Sequence, residues 1–339
     1  MGISSSKKLR VIYFTRKPRA LGNFSVEIYF DKVRENLPEE IEHITVQMPF
    51  ESNGILKRVF NAFYCIFKQG DINHITGDIH YVATFLKRKK TILTVLDCGS
   101  LYNKKGIKYF LLKLIWFTIP IKKSIKVTAI SEATKLDLIQ LVNCNAQKIE
   151  VIYVCINEKF QKQPKNFEKQ KPRILQIGTA ENKNIERLIQ AIKGIDCQLV
   201  VIGKISDQVK TSLEKNEIDY ELIDWRLTED EVISEYLKCD IVSLVSTLEG
   251  FGMPIVEANK IGRVVITGNT SSMPEIAGNA ACIVNPFEVD DIRKGFLKVI
   301  EDDEYRAQLI ANGFENAKRF DQQEIANQYF DLYRKVATA

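Results

Sequence analysis

Two glutamates, Glu249 and Glu257, stand eight positions apart across the run Glu249-Gly-Phe-Gly-Met-Pro-Ile-Val-Glu257. Gly250 and Gly252 let the backbone approach a ligand closely and adopt dihedrals closed to other residues. Pro254 suits the first turn of a helix, so the run reads as a glycine-rich turn that opens one. The free N–H groups and positive dipole end of such a helix attract an anion such as a diphosphate. The carboxylates repel phosphate and suit ligand hydroxyl groups, because a carboxylate accepts paired hydrogen bonds from a diol. The run reads as a nucleotide-sugar site.

Other residues able to take part lie in loops after apolar runs. Gly178-Thr179-Ala-Glu-Asn-Lys183-Asn184 precedes the amphipathic Leu188-Ile-Gln-Ala191, and Lys183 carries a point charge. Trp225 and Arg226 follow the run Tyr220 to Ile223. In the N-terminal half, Arg16, Arg19, Gly22 and Asn23 follow the first apolar run, His74 and His80 flank the end of the third, and Asp97 closes Thr91 to Leu96. No D-x-D occurs, and no His/Cys/carboxylate group has metal-ligand spacing, so the expectation is no metal.

The elements that must position these residues alternate along the chain. Short apolar runs separated by amphipathic stretches of helical length predict parallel sheets with helices on their faces. Strands are predicted at Arg10 to Thr15, His43 to Gln47, Ile72 to Ile75, Thr91 to Leu96, Lys126 to Ile130 and Ile149 to Val154. The second half repeats the rhythm at Arg173 to Ile177, Gln198 to Ile202, Tyr220 to Ile223, Ile241 to Val245, Arg263 to Thr267 and Ala281 to Val284. The polar stretch 158–172 reads as a linker. The predicted organisation is a domain over 1–160, a linker over 161–172, a domain over 173–320 and a terminal helical segment over 321–339.

At 339 residues, the chain can bury two cores. It contains no run of 18 uncharged apolar residues, and no secretory apolar region follows the polar start, so a cytoplasmic location is expected. Seven scattered cysteines suggest buried apolar residues and not a disulfide framework. Residues 1–160 carry 25 Lys/Arg against 14 Asp/Glu, whereas the remainder carries 23 against 29. This basic front half contains two apolar stretches flanked by lysines, 55–68 and 106–126, which suit either a core-facing helix or the surface of an anionic membrane. The basic residues accompany no nucleic-acid-reading motif.

The glutamate run resembles the E-x7-E motif of the retaining glycosyltransferases of the large family 4. Further likenesses are the preceding Leu237-x-Cys239-Asp-Ile-Val-Ser-Leu-Val-Ser246, the following Gly262-Arg-Val-Val-Ile-Thr267 and Ser272-Met-Pro-Glu275, the Gly178 loop, and Ala129-Ile-Ser131-Glu-Ala-Thr-Lys135. The resemblance implies an α/β protein of GT-B architecture, with two Rossmann-like domains facing across a cleft, the first binding acceptor and the second donor. It implies that the last helix crosses back to the first domain. Glu257 would bind the donor ribose and Glu249 the transferred sugar, beside Gly250, Phe251, Gly252 and Met253. Gly178, Thr179 and Lys183 would meet the diphosphate, with Trp225 and Arg226 near the base. Arg16, Gly22 and Asn23 would form the diphosphate and acceptor loop. Thr179 stands where many relatives have arginine, and Arg16 or Arg19 is the alternative source of charge.

Leu96 occupies the place of a histidine that many relatives direct at the transferred sugar, which leaves His80 and Asp97 as the expected catalytic partners of Glu249. The implied reaction moves a sugar from a UDP- or GDP-sugar, without a cofactor, to a glycan or lipid-linked acceptor in surface polysaccharide assembly, in the cytoplasm or at the inner membrane face. The alternative is a non-catalytic nucleotide-sugar-binding partner of the same fold.

Overall fold

The computed structural model describes residues 8–17, 25–102 and 104–339. Arg19, Gly22 and Asn23 lie outside the described residues. Among the described residues, twelve strands form at the places the sequence predicts. They are β1 Leu9–Thr15, β2 Ile41–Gln47, β3 Ile72–Thr76, β4 Thr91–Val95, β5 Lys126–Ala129, β6 Ile149–Val151, β7 Arg173–Ile177, β8 Gln198–Ile202, β9 Asp219–Ile223, β10 Ile241–Leu244, β11 Val264–Gly268 and β12 Cys282–Val284. They pair in parallel as two six-stranded sheets, ordered β2-β1-β3-β4-β5-β6 and β12-β11-β10-β7-β8-β9. Strands such as β3, β4 and β11 are buried at every residue, as parallel strands covered on both faces must be.

The chain divides into two compact units, residues up to Cys155 with Gln322–Ala339, and Ile156–Asp321. In the first, helix Gln322–Ala337 buries Ile325, Tyr329, Leu332, Tyr333 and Val336, a face with helical spacing. A polar chain runs through this contact. The Tyr333 hydroxyl lies 2.7 Å from the Tyr13 hydroxyl and 2.7 Å from His74 Nδ1, and His74 Nε2 lies 2.7 Å from Thr94 Oγ1. Burial pushes the His74 imidazole down to about 3, so it is neutral, and both of its nitrogens serve packing. All seven cysteines are buried.

Residues 161–172, predicted as a linker, pack on the second unit. Gln163 N donates to Ile261 O at 3.0 Å, and the buried Asp240 carboxylate accepts from Glu168 N at 3.1 Å and Arg173 N at 2.9 Å while pairing with Lys165. Polar composition reads as a free linker, but here a buried acid satisfies the segment's backbone.

Candidate active site

In the second sheet the chain leaves β7 toward β8 and β9 and returns on the other side as β10. The carboxyl ends of β7 and β10 therefore flank a topological switch point, where open α/β sheets bind ligands. The loops after these strands carry Lys183 and Glu249.

After β7, Gly178 adopts φ +86°, and a Cβ there would sit 3.1 Å from Lys183 Cε, so the lysine side chain lies across the glycine. Thr179 Oγ1 donates to Lys204 O at 2.7 Å, which ties its hydroxyl to the loop after β8. Two asparagines join this loop to the one after β10. Asn182 Nδ2 donates to Leu248 O at 2.8 Å, and Thr247 N donates to Asn182 O at 2.8 Å. The buried Asn184, in the left-handed region at φ +58°, donates from Nδ2 to Val245 O at 2.9 Å and to Pro286 O at 2.6 Å. The result is that Lys183 Nζ meets Glu249 Oε1 at 2.7 Å, with both side chains more than four-fifths buried.

The main chain at Glu249 is held from β11's side. Ser271 Oγ accepts from Glu249 N at 3.0 Å, and the buried Ser272 hydroxyl lies 3.0 Å from Glu249 O and 2.8 Å from Phe251 O. The Phe251 ring is buried edge-on against Phe320, 5.5 Å between centroids, so its side chain serves the core. Gly252, at φ +105°, then opens helix Met253–Ile261 with Pro254 in its first turn.

One turn into that helix, the half-buried Glu257 accepts a hydrogen bond at Oε2 from the hydroxyl of Tyr236, which is fully buried on helix Glu229–Lys238. Burial pushes the Glu257 carboxyl up to about 7. The Tyr236 hydrogen bond and the Lys183 charge act in the opposite direction, and Glu229 adds to the rise. Lys183 is thus electrically coupled to both glutamates.

The remaining expected residues of this unit do not join the cluster through any described contact. Trp225 and Arg226 follow β9 at the sheet edge, and Arg226 folds back on Asp224 at Nε–Oδ1 3.1 Å, exposed to solvent.

In the first unit the corresponding switch point lies between β1 and β3. Arg16, just past β1, binds Glu27 through Nε at 2.7 Å. Beyond β3, Asp78 accepts from Trp116 Nε1 at 2.8 Å. With Lys17, Glu51, Ser52, Asn53 and Arg58 these residues line a polar pocket of about 290 Å³.

His80 is buried, with Nδ1 3.0 Å from the Trp116 carbonyl, so that nitrogen carries the proton. Burial lowers its pKa, partly offset by Asp78, the Trp116 carbonyl and Asp97. The sequence expectation of a catalytic His80 therefore meets a buried ring whose Nδ1 is committed to a main-chain carbonyl. Asp97 is exposed and accepts from Gly99 N at 2.8 Å, closing the turn before helix Gly99–Tyr102.

Tyr236 escaped sequence reading, since nothing in its neighbourhood announces that it lies under a residue 21 positions later. Ser271 escaped it too. Its left-handed φ of +57° is a property of the folded turn. Among the described residues, no group of three or more His, Cys, Asp or Glu side chains is placed to hold a metal ion.

Solved structures share this fold. The Anabaena protein HepE, in complex with UDP and glucose, superposes with a TM-score of 0.79 at 13% identity, covering 97% of this chain and 100% of that one. WaaG, a glycosyltransferase involved in lipopolysaccharide biosynthesis, gives a TM-score of 0.70 at 14% identity over 95% and 99%. The fold is the GT-B fold of two Rossmann-like domains. Residues 157–316, which carry the whole Lys183, Glu249 and Glu257 cluster, match the family model for glycosyl transferases group 1.

Among curated relatives, the O-antigen chain mannosyltransferase B of Escherichia coli is 36% identical over 26% of this chain and 23% of its own length. The serotype-specific mannosyltransferase WbdA of E. coli is 24% identical over 74% of this chain and 36% of its own. The chain thus spans about a third or less of these mannosyltransferases. An uncharacterized glycosyltransferase of Methanocaldococcus jannaschii is 28% identical over 76% of this chain and 72% of its own length.

Proposed function

We propose that this protein is a retaining glycosyltransferase that moves a hexosyl group from a UDP- or GDP-sugar to a glycan or lipid-linked acceptor in surface polysaccharide assembly. The observation that carries the reading is the convergence of Lys183, Glu249, the Gly252 helix start and Glu257 at one switch point. In this assignment Glu257 accepts from the ribose diol and Glu249 from hydroxyls of the transferred sugar. Lys183 exchanges its bond to Glu249 for the donor diphosphate and stabilises the charge that grows on it. The bond from the anomeric carbon to phosphate breaks, the bond to the acceptor oxygen forms on the same face, and the acceptor proton passes to the departing phosphate oxygen. No dedicated strong base is needed. The names of the mannosyltransferase relatives favour a mannosyl donor, and the UDP complex of HepE favours a uridine one.

Steady-state kinetics with both donors test this. Lys183→Ala and Glu257→Ala are expected to weaken donor binding by roughly 10- to 100-fold, the scale of a lost hydrogen bond to a charged group. Glu249→Ala is expected to lower kcat instead. Unchanged kinetics in all three variants would remove the assignment. Transfer should persist in excess chelator, and activity lost to chelator and restored by magnesium would contradict the metal-independent form.

A second reading, a non-catalytic nucleotide-sugar-binding partner, is favoured by Leu96 in place of a polar residue and by the burial of His80. It predicts donor binding without transfer or hydrolysis, and a gain of orders of magnitude in Leu96→His.

A further inference from the structure

The first unit presents an apolar face that its own core does not use. Helix Ile55–Ile66 exposes Leu56 (86%), Ile55 (78%) and Phe60 (55%), and Phe67 just beyond it is 84% exposed. Helix Gly106–Leu112 exposes Ile107 (69%) and Phe110 (57%). In the second unit, the exposed large apolar side chains among the described residues are Leu222 on β9, Ile283 on β12 and Phe287 in the turn after β12.

The two helical segments adjoin through residues 80–85 and Trp116. Phe63 packs on Phe85 with centroids 5.8 Å apart, Tyr81 on Trp116 at 5.3 Å, and the Arg58 guanidinium lies 4.9 Å over the Trp116 ring. The segment 80–85 thus sits under both, with Arg58 bridging them.

The charge on this surface has one sign. Residues 55–70 and 99–131 hold ten Lys/Arg and no Asp or Glu, and Lys57, Lys68, Lys104, Lys105, Lys122 and Lys123 are exposed. A second copy of the chain would bring these like charges together, with only Glu51 and Asp78 of the adjoining pocket beside them. An anionic bilayer supplies both an apolar phase for the aromatic and aliphatic side chains and negative headgroups for the lysines around them. The helices are too short to span it, and no helix of the described residues is long and apolar enough to do so.

We infer that the face formed by helix Ile55–Ile66 and residues 106–118 docks on an anionic lipid bilayer. The docking does not depend on the transferase reading. Its consequence for that reading is positional, because Arg58 and Trp116 also line the 290 Å³ polar pocket, whose mouth is then set at headgroup depth, where the polar end of a lipid-linked acceptor lies.

Vesicle flotation of the full chain tests the surface without any catalysis. The wild type is expected to float with phosphatidylglycerol vesicles at low salt, far less with phosphatidylcholine, and less as salt rises. The triple variant Leu56→Ser, Phe60→Ser, Phe67→Ser, at exposed positions, should cost binding at an unchanged melting temperature. The variant Lys104→Glu, Lys105→Glu, Lys122→Glu, Lys123→Glu should lower partitioning by more than roughly a hundredfold. The proposal is overturned if wild-type protein does not float with anionic vesicles at low salt, or if neither variant changes flotation. It is equally overturned if light scattering shows a dimer that the apolar variant dissociates while vesicles stay unbound.

Discussion

Glu257 is a carboxyl whose folded-state pKa is raised, and two pH effects of defined sign follow. The folded protein holds this proton more tightly than the unfolded chain, whose value is 4.5, so the associated stability is full below about 4.5 and is lost as pH rises through about 7. Donor affinity should run the other way, because the ionised carboxylate is the better acceptor for a ribose diol. We expect donor Kd, read by calorimetry, to fall between pH 6 and 8, and Glu257→Gln to abolish that trend. Tyr236→Phe removes the hydrogen bond that favours the ionised form, so the trend should move to higher pH. A merely structural tyrosine would change stability and leave the midpoint in place.

At the scale of elements, the turn into helix Met253–Ile261 depends on one backbone conformation. Gly252 has φ +105°, and an added Cβ would lie 3.1 Å from Ile255 Cδ1 and 3.4 Å from Leu244 Cδ2. Gly252→Ala meets strain and crowding together, with an expected cost of about 1–3 kcal/mol in urea unfolding. It should also weaken donor binding, since the same turn sets the main chain between Glu249 and Glu257. The opposite conformational solution appears at Asn184, where a non-glycine residue holds φ +58° because its amide bonds two carbonyls from different loops. Asn184→Gly would keep the dihedral and lose the ties, so loop order at Lys183 should suffer more than global stability.

At the scale of the molecule, the terminal helix completes the first unit through His74, Tyr13, Tyr329 and Tyr333. The His74 pKa is depressed to about 3, mainly by burial, with the Arg34 charge adding to it. The stability it contributes is present above the unfolded value of 6.5 and is lost as pH falls toward 3. The slope due to this one group approaches about 1.4 kcal/mol per pH unit. Denaturant titrations of wild type and His74→Gln between pH 4 and 7 should show that slope in the wild type and its loss in the variant. Tyr329→Ala should cost roughly 3–5 kcal/mol, as for other large buried aromatics. An unchanged midpoint would mean that the helix contributes little to that unit.

What the sequence determined by itself was periodic and local. Buried parallel strands need apolar runs, and the alternation of such runs with amphipathic stretches placed all twelve strands of the described residues, including the largely exposed β2 and β9, some with bounds shifted by one to three residues. The glycines and the proline around Glu249 marked a loop opening a helix, because few residues tolerate those dihedrals. Composition alone did not show that the stretch 161–172, read as a linker, packs on the second unit. Composition registers polarity but not the buried Asp240 carboxylate, 4% exposed, that satisfies the segment's amides. The tertiary structure alone decided which loops meet. Lys183 and Glu249 are 66 positions apart, and they form an ion pair only because β10 returns beside β7. Tyr236 reaches Glu257, and His80 is sealed against Trp116, through packing between elements whose sequences carry no mark of each other. Whether a titratable group is ionised depends on its burial and its partners, and both exist only once the chain has folded.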